Sequence, residues 1–200
     1  MIYLIGVNHD LAQRRKRGED MTDCQRTFHS VVESAIQSIH PGLIAEEDHP
    51  DFLLEKDADS ILLEIARSNG IEDRHRFVDP NRDERKKIGY DISQCISKSV
   101  QGMAHLIACH YPKREKFWLQ NLQDSLDKDI LFVCGCGHIE SFEELLARNG
   151  INCSVLANRI GASPTEIALH DNAWRYIRDN PVEFCNPTCL RLRQSPTPLG

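Results

Sequence analysis

The chain opens on Met1-Ile2-Tyr3-Leu4-Ile5-Gly6-Val7, an apolar, β-prone run closed by Asn8, which predicts a strand. A polar loop carrying Arg14-Arg15-Lys16-Arg17 follows. From Thr22 or Asp23 to Ile39, apolar residues at Phe28, Val31, Val32, Ala35, Ile36 and Ile39 keep helical spacing, and Pro41-Gly42 stops the helix. Leu43-Ile44-Ala45 predicts a second strand ending in Glu46-Glu47. Asp51 caps one long helix whose inner face runs from Phe52 and Leu53 to Ile65 and Ala66, with Asn69-Gly70 as its stop. His75-Arg76-Phe77-Val78, closed by Asp79-Pro80, predicts a third strand, and the charged segment Arg82–Lys87 leads into helix over Ile92–Ala108. Pro112 starts another helix that runs to Leu126, and Ile130–Cys134 is the clearest strand of the chain. A helix over Ile139–Arg148, a strand over Ile151–Leu156 and a helix opened by Ser163-Pro164-Thr165-Glu166 complete the order.

Strand and helix alternate at least four times, the pattern of a mainly parallel sheet with helices on both faces. The expected organisation is an α/β domain over 1–160 and a C-terminal helix and irregular tail over 161–200 packed on the same domain. Two hundred residues are enough to bury a core without staples. The apolar runs are too short to span a membrane, and the first strand has no basic residue before it as a secretory signal would. A cytoplasmic protein is expected.

The net charge of −6 argues against nucleic-acid binding by bulk charge. Eight cysteines are scattered along the chain; only Cys185 and Cys189 form a ligand-like pair, and no second close pair completes a zinc tetrad. Reduced, structural thiols are expected. Two basic clusters, Arg14–Arg17 and Arg82–Lys87, follow the first and third strands. They read either as solvated charge beside Glu19, Asp20, Asp83 and Glu84 or as a frame for an anionic ligand, with Arg15, Arg17, Arg82 and Arg85 binding it. No P-loop or dinucleotide glycine fingerprint follows any strand.

Polar residues gather at the ends of the strands. His9 lies past the first, Glu46 and Glu47 end the second, Asp79 ends the third and lies where substrate is expected, and His138 lies past Ile130–Cys134. In a parallel sheet these positions share the carboxyl edge, where α/β proteins place their ligands. Imidazole and carboxylate there suit a divalent transition metal. Each histidine sits in a Gly-x-x-His segment leaving a strand: Gly6-Val7-Asn8-His9 and Gly135-Cys136-Gly137-His138.

With Glu46-Glu47 between these segments and Arg114 before the second, the chain resembles the TraB/Tiki superfamily, which includes erythromycin-esterase-like and ChaN-like haem-binding proteins. The resemblance spans residues 1–156. It implies a hydrolase dependent on manganese, cobalt or zinc, with His9, His138 and Glu47 as ligands and Glu46, Glu47 and Arg114 as catalytic groups. One of Glu46 and Glu47 would be the ligand or general base. Successive strand residues face opposite ways, so both reach one pocket only if the strand has already ended. The substrate would be an ester, peptide or phosphoester: a small molecule, a peptide or a nucleotide-like compound. The alternative is a non-enzymatic ligand-binding or signalling module for haem or an anionic nucleotide-like ligand.

Overall fold

The structure, a computed structural model, describes residues 1–90 and 99–181. Five parallel strands form the central sheet: β1 (Ile2–Val7), β3 (Leu43–Glu46), β5 (His75–Phe77), β6 (Ile130–Gly135) and β7 (Cys153–Ile160), in the order β5-β3-β6-β1-β7. β1 lies against β6 with Gly6 opposite Cys134 and Val7 opposite Gly135, so both Gly-x-x-His segments leave the sheet side by side. The expected α/β architecture is the one observed.

Alternation along the strands sends side chains to two cores. On one face, Ile2, Leu4, Ala45, Ile130 and Phe132 pack with Trp118, Leu119 and Leu122 of α6 (Tyr111–Leu122) and with Phe142 and Leu146 of α7 (Ile139–Arg148). On the other, Ile5, Val7, Ile44, Leu131 and Val133 meet Phe28, Val32 and Ile36 of α1 (Asp23–Ile39) and Ile61, Leu62 and Ile65 of α3 (Ile61–Ser68). Thr22 and Ser163 each form a capping box, for α1 and for α8 (Pro164–Asp179). A third cluster joins Ala173 and Ile177 of α8 to Ala104 of α5 (Val100–His105) and to Ile107 and Ala108 of the wide π-helical turn that follows α5.

Several boundaries differ from the sequence expectation. The long helix predicted after Asp51 is two helices, α2 (Pro50–Glu55) and α3, capped by His49 and by Ser60. Between them Asp57 takes a left-handed conformation at φ 49°, and β4 (Ala58–Ser60) pairs antiparallel with β2 (Arg14–Lys16). The polar run Asp57-Ala58-Asp59-Ser60 interrupts the apolar face and supplies the new cap, which is why a single helix does not form. Arg82–Lys87 is itself a helix, α4, with an Asn81–Glu84 capping box. β7 runs on to Ile160, past the predicted end, because a sheet-edge strand tolerates the polar Asn158 and Arg159. The beginning of the helix expected over Ile92–Ala108 and the Cys185–Cys189 pair lie outside the described residues. No helix among the described residues is long and apolar enough to cross a membrane.

Candidate functional site

At the carboxyl edge β1 turns into a single π-helical turn, His9–Gln13, whose start is capped by the Asn8 side chain. β3 ends at Glu46, and the next residue still bonds the sheet through Glu47 N–H to Val133 O at 2.8 Å. β6 ends at Gly135 and passes through a 3₁₀ turn, Cys136–His138, into α7. These three exits and Arg114 of α6 surround a cavity of about 370 Å³ that also takes in Tyr90 and Tyr111.

Glu47 is the hub. Its Oε1 forms an ion pair with Arg114 Nη2 at 2.6 Å and stands 3.5 Å from His9 Nε2 and 3.7 Å from His138 Nε2; its Oε2 accepts the Gly135 N–H at 2.6 Å. His9 keeps 24% of its side chain exposed, while Glu47, Arg114 and His138 keep 1%, 9% and 5%. The imidazole of His9 is therefore the most exposed of the four groups that line the cavity. Burial alone would raise the Glu47 carboxyl, but Arg114, His138 and His9 hold it well below the usual carboxylate range. Burial pushes His9 down, yet the Glu47 carboxylate overrides this and leaves the imidazole above its ordinary value. The Arg114 guanidinium is held well above its own value, against burial, by Asp79 and Glu47.

A shell of neighbours fixes these groups. Asp79 Oδ1 accepts from Arg114 Nη2 at 2.6 Å, from Arg114 Nε at 3.0 Å and from Trp118 Nε1 at 2.9 Å. His138 Nδ1 meets Glu115 Oε1 at 2.8 Å, and the Tyr111 ring stacks on His138 at 3.7 Å between centroids. Arg114 Nη1 lies 3.3 Å from the Tyr90 hydroxyl and 3.4 Å from His138 Nε2. Burial pushes the Tyr90 and Tyr111 phenols up, so both keep their O–H protons at neutral pH. Burial also raises the Cys136 thiol, which lines the cavity as a thiol and not as a thiolate nucleophile.

Glycine at the centre is a steric necessity. A Cβ on Gly135 would stand 2.9 Å from His9 Nε2 and 3.3 Å from Glu47 Oε2. One on Gly6 would stand 2.2 Å from the Asn158 amide oxygen.

The predicted residues thus divide. His9, Glu47, Arg114 and His138 come together. Glu46, the other candidate catalytic group, faces the opposite way and is buried among Gln13, Ser60 and His75. Asp79 holds Arg114 from behind and does not line the cavity. Arg15 pairs with Glu64, Arg17 with Asp57 and Asp59, Arg82 with Glu55 and Arg85 with Asp79, and none of the four lines the cavity. Each basic loop is matched by an acidic partner that sequence separation hid. Sequence reasoning missed Gln13, Tyr90, Tyr111 and Glu115. Glu115 had one visible signal, its place beside Arg114; Gln13 and the tyrosines had none.

The chain matches no family model, no curated protein and no solved structure. The resemblance in its motifs therefore meets only the geometry of the site itself. The metal implied by that resemblance would need His9, Glu47 and His138 around one ion. The Glu47 oxygen that both imidazoles face is already ion-paired with Arg114, whose second nitrogen stands against His138 Nε2. The guanidinium is itself the cation at this position, and among the described residues no three His, Cys, Asp or Glu side chains are set to hold an ion. The side chains as arranged do not fit a divalent metal.

Proposed function

We propose that the chain is a hydrolase of carbonyl esters, with His9 as the base that activates water. The observation that carries this reading is the convergence on one cavity of a partly exposed imidazole, a buried carboxylate and a buried guanidinium. Water in the cavity would give a proton to His9 Nε2 as its oxygen attacks the substrate carbonyl. The Glu47 carboxylate, 3.5 Å away, stabilises the imidazolium that forms. The Tyr90 hydroxyl accepts from Arg114 and so turns its own proton outward, where it can donate to the developing oxyanion. The intermediate then collapses, the carbon–oxygen bond breaks, and His9 Nε2 returns its proton to the leaving alkoxide. Acid and alcohol are the products, and no group is left oxidised or reduced.

The test is hydrolysis of p-nitrophenyl acetate and a panel of alkyl esters by the wild type and by His9→Gln. A general base contributes ~10²–10⁴-fold, and the variant should lose that factor. Equal rates would refute the role of His9. Activation by added manganese, cobalt or zinc would show that an ion displaces Arg114 from Glu47 and would restore the metal-dependent reading. Haem uptake with a Soret band and no turnover would favour the ligand-binding module.

A further inference from the structure

Behind His9, away from the cavity, lies a buried polar chain that the reaction above does not use. His9 Nδ1 is 2.7 Å from Gln13 Oε1, and Gln13 Nε2 is 2.5 Å from Glu46 Oε1. Glu46 also accepts from Ser60 Oγ at 2.7 and 2.9 Å and meets His75 Nε2 at 2.7 Å. Gln13, Glu46 and Ser60 are all buried. The same Glu46 oxygen accepts from Ser60 Oγ and, as an acceptor, is faced by the Gln13 NH₂ group. The Gln13 oxygen is thereby turned to His9, and an oxygen can only accept. The ring proton of neutral His9 must then sit on Nδ1.

Nε2 has a competing claim on that proton. The Glu47 carboxylate stands 3.5 Å from Nε2 and would draw the proton there in a freely choosing ring. A proton on Nε2 would leave no lone pair toward the cavity. We propose that Gln13, oriented by Glu46, is the positioning residue that locks His9 in the Nδ1–H tautomer and keeps Nε2 as the bare nitrogen. Glu46 acts through Gln13 and touches nothing in the cavity. The proposal rests on the reading of His9 as proton acceptor for its catalytic meaning, while the tautomer itself is a property of the resting protein.

That separation sets the experiment. Full-length protein carrying ¹⁵N-histidine is studied by long-range ¹H–¹⁵N correlation at a pH where the ring is neutral, the His9 signals being assigned by their loss in His9→Gln. The wild type should show a protonated Nδ1 and a bare Nε2. In Gln13→Met, which keeps length and removes the acceptor, the proton should move to Nε2; kcat for p-nitrophenyl acetate should fall ~10²–10⁴-fold, with KM little changed. Gln13→Glu keeps an acceptor at the same atom and should retain the Nδ1–H form. A wild type with its proton on Nε2, or a Gln13→Met ring still protonated on Nδ1, overturns the proposal. If Gln13→Met does not fold, the wild-type and Gln13→Glu spectra decide alone. An Nδ1–H ring in a protein that hydrolyses no ester would uphold the lock and refute the hydrolase.

Discussion

Replacing Arg114 by methionine removes a cation that contacts both Glu47 and Asp79, at 2.6 Å each. The two carboxylates do not suffer equally. Asp79 keeps Arg85 and the Trp118 N–H, whereas Glu47 keeps the Gly135 N–H and two imidazoles no closer than 3.5 Å. The penalty therefore falls mainly on Glu47. Breaking a buried pair by deleting one partner costs about 3–5 kcal/mol, and the lower end applies because Glu47 keeps part of its shell. For a chain of this length that corresponds to a fall in Tm of roughly 6–12 °C. The pH response carries the stronger test. In the wild type the folded Glu47 carboxyl is depressed, so its contribution is present above the ordinary carboxylate value and is lost only as pH falls far below it. In Arg114→Met burial is left to dominate and raises the same group, a penalty present above the raised value and relieved as pH falls through it. Thermal melts at about pH 7 and about pH 5 should show the gap between the two proteins narrowing at the lower pH. A loss below about 3 °C, or a gap that does not change with pH, would refute the assignment of Glu47 as the depressed, Arg114-bound carboxylate.

Gly135→Ala should fold and yet lose ester turnover, since its new Cβ must displace His9 Nε2; a crystal structure with His9 unmoved and activity intact would contradict this. The rate of ester hydrolysis should rise with pH through an inflection above the ordinary histidine value, because His9 is raised and works only when neutral. A pH–rate profile with its inflection below that value would refute it. Arg15→Glu combined with Arg82→Glu should leave turnover of a neutral ester and its response to salt unchanged, because neither residue lines the cavity. A rate that falls steeply with ionic strength in the wild type and not in the double variant would return these loops to substrate binding.

The periodicity of the chain was sufficient for the sheet and its two helical layers, because β1, β3, β6, α1 and α7 are each short-range patterns. Strand ends likewise marked His9, Glu47 and His138, whereas Arg114 was marked only by the motif resemblance. What local pattern hides is partnership across the fold. Arg15 and Glu64 are far apart in sequence, as are Gln13 and Glu46, and nothing near either residue announces the other. The choice between Glu46 and Glu47 was visible only as an alternation; it was settled by sheet pairing that carries on through the Glu47 N–H to Val133, so the alternation holds and turns one carboxylate to Gln13 and Ser60 and the next to Arg114. The split of the predicted long helix likewise turned on Ser60, whose hydroxyl both caps α3 and donates to Glu46.

The position of β1 between β6 and β7 bears on how the chain is made. Its neighbours on both sides are the last two strands, so Ile2, Leu4, Ile5 and Val7 have nothing to pair with until Ile130 has left the ribosome. At ~5–20 residues per second, the intervening stretch of about 120 residues takes on the order of ten seconds to synthesise. Through that interval an apolar segment waits with both edges unpaired, and His9 and Gln13 wait with it. The carboxyl-edge site is consequently among the last parts of the molecule to assemble, and the early strand is where a nascent-chain chaperone would have most to protect.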